Sequence, residues 1–221
     1  MVNDRMGDVC IMSTSIRNHR YIYHLTAFEN MRSILLDGLL SRKQLQEQEN
    51  AFTDVADPQI MAYRKENHLD DYVPFHFFIN SPFAGRVMQD RPGKYVYIAV
   101  NREYAKTHDF KIIPNHPMSS FEKNHIQMCT YAEGFELIDW KTMDERDYHD
   151  NYCKEVCMSE CLCKGKLDIH QLICDGNSNS YKDILFFVKS EDDKSQLMWL
   201  YRQLFPTEWR LPGIIPAYFP K

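Results

Sequence analysis

The stretch RYIYHLTAFENMRSILLDGLLS, residues 20–41, changes hydrophobic period partway along, and that change limits the possible folds more than any other feature. Tyr21, Ile22, Tyr23, His24 and Leu25 alternate as a strand does. Thr26 followed by Glu29 has the spacing of a capping box, and Phe28, Met31, Ile34 and Leu35 then share one face of a helix expected over 28–37. Gly38 stands where a left-handed helix stop is usual. A strand therefore runs almost directly into a short helix.

Further along, residues 42–71 turn polar and read as a long loop or partly helical excursion, with Ile60 and Met61 as paired apolar anchors. Strands are expected over 73–78, 94–100 and 185–189. An amphipathic helix is expected over 194–205, and 134–138 reads as a loop entering a helix or strand. Strands mix with helices without regular alternation, which points to an α+β fold rather than a doubly wound sheet. A chain of 221 residues, 44% hydrophobic, can bury one core, so a single domain over 1–221 is expected, with 1–20 as a flexible N-terminal segment. No run of about 18 apolar residues exists, and the N-terminal segment lacks the apolar block of a signal peptide. The expectation is a cytoplasmic protein with no membrane attachment.

The formal net charge of −5 argues against a broadly basic surface of the kind that holds duplex DNA. Nucleic-acid contact would have to be local or rest on stacking. Seven cysteines, an odd number, fit free thiols better than a disulfide framework. Cys153, Cys157, Cys161 and Cys163 are close in sequence, but C-x3-C-x3-C-x-C lacks the paired knuckles of structural zinc sites, and no metal is expected. Neither a Walker loop, a glycine-rich dinucleotide fingerprint nor HExxH is present.

Three strings remain as candidate chemistry. His24, at the end of a strand and before a helix, reads either as a structural hydrogen-bonding residue or as a ligand contact. Arg64, in YRKENHLDDYVPFHF, reads either as a solvated loop cation or as a site residue, and the Tyr72, Pro74 and His76 face beyond it suits a pocket wall. Glu160 lies in an otherwise small or apolar run, where a carboxylate is expensive to bury without a partner. It is either half of a structural ion pair or a functional group.

In this order, YHLT, the helix ending DGLLS, DYVPFHF followed by NSPF, IDW before an acidic stretch, and the glutamate ahead of a small apolar strand resemble the DarT family. The terminal IIPAYFP is similar to that family's aromatic end. The resemblance implies an ADP-ribosyltransferase fold, a split and strongly bent β-sheet core with an NAD cleft and flanking helices. It implies NAD as co-substrate, with ADP-ribose passed to thymine or guanine in single-stranded DNA, as a toxin or in phage defence. It further implies a macrodomain antitoxin, DarG, as partner. Residue by residue, Glu160 matches the catalytic glutamate and Arg64 the catalytic arginine. His24 matches the ribose-binding histidine, with Leu25 and Thr26 beside it, and Ser33 matches a position near the cofactor. The excursion over 42–71 would be a flap over NAD and part of the DNA track. Lys154 and Cys161 depart from the family's usual arginine and small-then-aromatic setting. Transfer to RNA or protein, or a catalytically silent NAD-binding module, are the alternative readings.

Overall fold

The computed structural model describes residues 15–48, 58–119, 126–174 and 183–217. Along the chain these form β1 (Tyr21–Ala27), α1 (Met31–Asp37), β2 (Leu39–Leu40), α2 (Arg42–Glu47), α3 (Pro58–Glu66), β3 (Tyr72–Phe75), α4 (Pro82–Asp90) and β4 (Tyr95–Asn101). There follow α5 (Arg102–Thr107), β5 (Lys111–Ile113), β6 (Cys129–Thr130), α6 (Tyr131–Leu137), α7 (Trp140–Glu145) and α8 (Asn151–Val156). The last elements are β7 (Glu160–Lys164), β8 (Lys166–Leu167), α9 (Ile169–Cys174), β9 (Ile184–Val188), α10 (Glu191–Leu204) and β10 (Gly213–Pro216).

Two four-stranded sheets organise the fold, in the orders β1-β4-β9-β10 and β3-β7-β5-β6, with β2 and β8 as a separate small pair. The pairings are antiparallel except that of β9 with β10. The large sheets meet at one bridge, where Tyr23 and His76 exchange two backbone hydrogen bonds of 2.8 Å. This junction splits the β core into two sheets, as the resemblance implies. β4 is buried at all seven positions, which explains its near-continuous apolar sequence as a strand paired on both edges. Ile22, Val96, Ile98, Phe75, Phe110, Ile112 and Phe186 lie in one apolar cluster, so both sheets share a core. Each such side chain contributes about 1.5–3 kcal/mol through removal from water.

The start of the chain differs from the reading of its sequence. β1 continues through Ala27, so Thr26 pairs with Val96 inside the ladder and caps no helix; its hydroxyl accepts from Asn30 Nδ2 instead. A 310 turn over Phe28–Asn30 precedes the α-helix. Capping boxes form at Ser41 with Gln44 and at Thr130 with Glu133, so 134–138 lies largely within α6 rather than in a loop. Gly38 does carry the positive φ of a helix stop, 88°, and a Cβ there would sit 2.6 Å from Lys166 Cε. Gly134 lets α6 approach β5, since a Cβ would fall 2.5 Å from that of Ile112. The polar excursion is helical in its described parts, α2 and α3; residues 49–57 of it lie outside the described residues. Ser190 starts α10 earlier than periodicity alone suggests, and its hydroxyl accepts from Asp193 N.

The segment read as a flexible N-terminal stretch is packed from Ser15 onward, while residues 1–14 lie outside the described residues. Ile16 is 1% exposed, and buried Arg102 donates to the carbonyls of Ile16 (2.9 Å), Arg17 (2.9 Å), Tyr21 (3.2 Å) and Phe77 (2.9 Å). Among the described residues, no helix is long and apolar enough to cross a membrane.

Candidate active site

A cleft of about 170 Å³ opens where the sheets meet, and His24, Leu25, Thr26, Ser33, Arg64 and Glu160 all line it. The strands and helices that bring them together are distant in sequence. β1 supplies His24, Leu25 and Thr26, α1 supplies Ser33, α3 supplies Arg64, and β7 opens with Glu160 between β3 and β5.

Arg64 and Glu160 form the charged centre. Arg64 Nη1 donates to both carboxylate oxygens of Glu160, at 2.9 and 2.8 Å, and each residue is 7% exposed. Arg64 Nη2 reaches the Leu69 carbonyl at 3.4 Å. The partner that burial of Glu160 demanded is therefore an arginine 96 positions earlier. Two contacts hold the pair in place: the Tyr63 hydroxyl fixes α3 to the Pro117 carbonyl at 2.8 Å, and the Ser159 hydroxyl donates to the carbonyls of Pro114 and Val156.

His24 presents a defined tautomer. Its Nδ1 lies 2.8 Å from the Pro74 carbonyl, which can only accept, so Nδ1 carries the proton and Nε2 keeps its lone pair. Burial pushes the imidazole down to about 4; the Pro74 hydrogen bond opposes that shift, and His76 and Arg64 add to it. At neutral pH the ring is uncharged.

Thr26 and Ser33 place hydroxyls on the cleft wall, and Ser33 Oγ donates to the Asn30 carbonyl at 2.9 Å. Leu25 packs with Val87 and Tyr97 in a second apolar cluster, so it supports the wall from behind as well.

Two further histidines stand in the wall, His76 on the face expected to line a pocket and His116, which the sequence did not single out. His76 lines the cleft, stacks near Phe83 at 5.3 Å, and has a buried Nδ1 without a hydrogen-bond partner. The alternating face of Tyr72, Pro74 and His76 was the signal for it. His116, after β5, also lines the cleft and accepts from Met118 N through Nδ1 at 3.3 Å. Its string, PNHP, carries no signal of that placement. Burial lowers both imidazoles, and the Glu160 carboxylate partly offsets this. Arg42 and Arg64 are the arginines in the wall.

The cysteine run makes no metal site. Cys153 and Cys157 direct their thiols to the carbonyls of Thr142 (3.2 Å) and Met143 (3.7 Å), while Cys161 and Cys163 are buried in β7. They fill space as small apolar side chains do.

The fold, with its two sheets and the cleft between them, is shared with solved DarT structures. It superposes on Thermus sp. 2.9 DarT in complex with ADP-ribosylated ssDNA at a TM-score of 0.70 and 20% identity, covering 90% of this chain and 94% of that one. Against the same DarT in complex with NAD+ the TM-score is 0.66 at 19% identity, covering 90% and 96%. Thermosipho africanus DarTG in complex with ADP-ribose gives 0.66 at 21% identity; 90% of this chain aligns, but it spans only 50% of that protein. No curated protein sequence matches the chain. The family model described as ssDNA thymidine ADP-ribosyltransferase, DarT, matches residues 23–193, and the chain belongs to that family.

Proposed function

We propose that this chain cleaves NAD and transfers its ADP-ribose to thymine in single-stranded DNA, with Glu160 and Arg64 as catalytic residues. The observation that carries this reading is the buried Arg64–Glu160 pair, set in a cleft that also holds His24, Thr26 and Ser33. Membership of the DarT family supports NAD as co-substrate and thymine as acceptor.

In the reaction the bond from nicotinamide nitrogen to the ribose anomeric carbon breaks, and positive charge develops on the sugar. A carboxylate bonded to a ribose hydroxyl stabilises that charge more than it stabilises the ground state. Both Glu160 oxygens engage Arg64 in the structure, so binding substrate exchanges one of those bonds for the ribose hydroxyl. Neutral His24 offers Nε2 as an acceptor to a further hydroxyl of the sugar. Within a DNA strand the ring nitrogen left to thymine bears a proton, which departs to solvent water as the new carbon–nitrogen bond forms. Arg64 has no lone pair to take that proton. Its role is to orient the base and stabilise the negative charge that develops on it.

Intact duplex hides that nitrogen, which favours single-stranded or extruded nucleotides. The α2–α3 excursion serves as a flap and part of the DNA track, and the chain works as one ADP-ribosyltransferase domain in the cytoplasm. A DarG-type macrodomain antitoxin is the partner, in a toxin or phage-defence role. The name DarTG on a structural relative twice the length of the match supports that pairing.

The test incubates the protein with labelled NAD and single-stranded oligonucleotides of each base, alongside RNA and the Glu160→Gln variant. Label on thymine-containing DNA, lost in the variant, is the expected result. Label on guanine, RNA or protein replaces the acceptor, and NAD binding without nicotinamide release replaces the activity.

A further inference from the structure

We propose that His170, Cys174 and Glu208 form a site for one zinc ion, which ties α9 to the connection between α10 and β10. The three residues offer an imidazole nitrogen, a sulfur and a carboxylate oxygen within 4.8 Å of one another. None of them lines the cleft, so the site is separate from the transferase centre.

The spacing suits a tetrahedral ion with these three side chains and a water in the fourth position. Zinc–sulfur and zinc–nitrogen bonds of about 2.3 and 2.0 Å place adjacent ligand atoms roughly 3.5 Å apart. Here His170 Nε2 lies 3.3 Å from Cys174 Sγ, and Glu208 Oε2 lies 3.2 Å from the same sulfur. His170 and Cys174 share a helix face at a four-residue spacing. The ligands are also held: His170 stacks on Phe205 at 3.8 Å, and the other Glu208 oxygen accepts from Arg210 N at 2.9 Å.

A second feature points the same way. The hydroxyl of fully buried Tyr201 faces the Cys174 sulfur, with the Glu208 carboxylate nearby. When zinc binds, the sulfur–zinc bond forms and the thiol proton leaves to solvent. The thiolate that results is a stronger acceptor for the Tyr201 hydroxyl than the thiol it replaces. One thiolate, one carboxylate and a neutral imidazole balance the two charges of the ion, so the site holds no net charge.

Zinc is softer in its demands than magnesium or calcium, which take oxygen ligands and would leave the sulfur and nitrogen unused. The run of four cysteines takes no part; Cys174 lies beyond it.

The experiment strips the full chain with chelator, then titrates zinc into wild type, Cys174→Ser and His170→Ala while reading stoichiometry and Tm. One equivalent in wild type is expected, with Tm rising by about 5–10 °C at zinc a hundred-fold above Kd. Both variants should lose that equivalent, and cobalt in wild type should show a thiolate charge-transfer band absent from Cys174→Ser. Failure of the wild type to bind, or retention of the equivalent by both variants, overturns the site. The metal readouts do not depend on transferase activity, so they stand or fall apart from the function proposed above.

Discussion

Two buried arginines show how differently this protein satisfies a charge away from water. Arg102 donates to four backbone carbonyls and closes the N-terminal segment onto the sheet, with Phe77 and Trp140 near its guanidinium. Arg64 meets the Glu160 carboxylate, with a single carbonyl beyond it, on the wall of an open cleft. Four main-chain acceptors make Arg102 a fixed part of the scaffold, since a buried guanidinium that lost these bonds would be left without partners. A carboxylate can trade one bond for a ligand's hydroxyl, so the Arg64 pair is preorganised yet exchangeable. The Arg102 charge is met by dipoles, and that of Arg64 by a charge.

The largest effect should come at the exchangeable pair. Glu160→Gln is expected to lower transfer to DNA by at least about 10³-fold, measured in single turnover with labelled NAD. An undiminished rate would detach Glu160 from the chemistry and make the pair structural, like Arg102. Next, Arg102→Met should destabilise the protein by about 3–4 kcal/mol, read as a lower urea midpoint, while the folded fraction keeps its specific activity. A loss of activity without loss of stability would erase the distinction between the two arginines.

The cleft side of the comparison also predicts a pH dependence. His24 is held at about 4 in the folded protein against an ordinary value of 6.5, chiefly by burial. Between those values the unfolded chain binds the proton that the folded chain refuses. Stability is thus full above pH 6.5 and declines as pH falls toward 4. His76 and His116 shift in the same direction and add to it. Denaturation from pH 7.5 to 4.5 should show the decline, and His24→Gln should make it shallower; a profile unchanged by that variant would place the acid sensitivity elsewhere.

The smallest effect is expected at His76, whose Nδ1 is buried without a partner. His76→Phe should shift stability by no more than about 1 kcal/mol in either direction, because it removes an unsatisfied polar atom and the imidazole's hydrogen bond to the Ser159 backbone together, and leaves the backbone bridge to Tyr23 untouched. A KM for NAD that rises without a change in Tm would show that the imidazole meets the substrate.

What was legible beforehand was local. Alternation over 21–25, the apolar face of the following helix, the Gly38 stop and the oddity of a carboxylate at Glu160 all express interactions within a few residues. Each leaves its mark on spacing or residue type. Even there, Thr26 and Glu29 had the spacing of a capping box, and the ladder with β4 took Thr26 into a strand instead. His24, Arg64, Glu160 and the Tyr72, Pro74 and His76 face stood out as candidates by residue type, but their roles came only through resemblance, because nothing in the local sequence says that Arg64 will find Glu160.

By itself, then, the sequence determined short elements, an α+β mixture and a carboxylate in need of a partner. Tertiary structure alone decided that the partner is Arg64, that Arg102 gathers the carbonyls of Ile16, Arg17, Tyr21 and Phe77, that His116 enters the cleft, and that Cys174 meets His170 and Glu208. The physical reason is range: periodicity and caps act over one or two turns, whereas these contacts exist only after distant segments close onto a shared core.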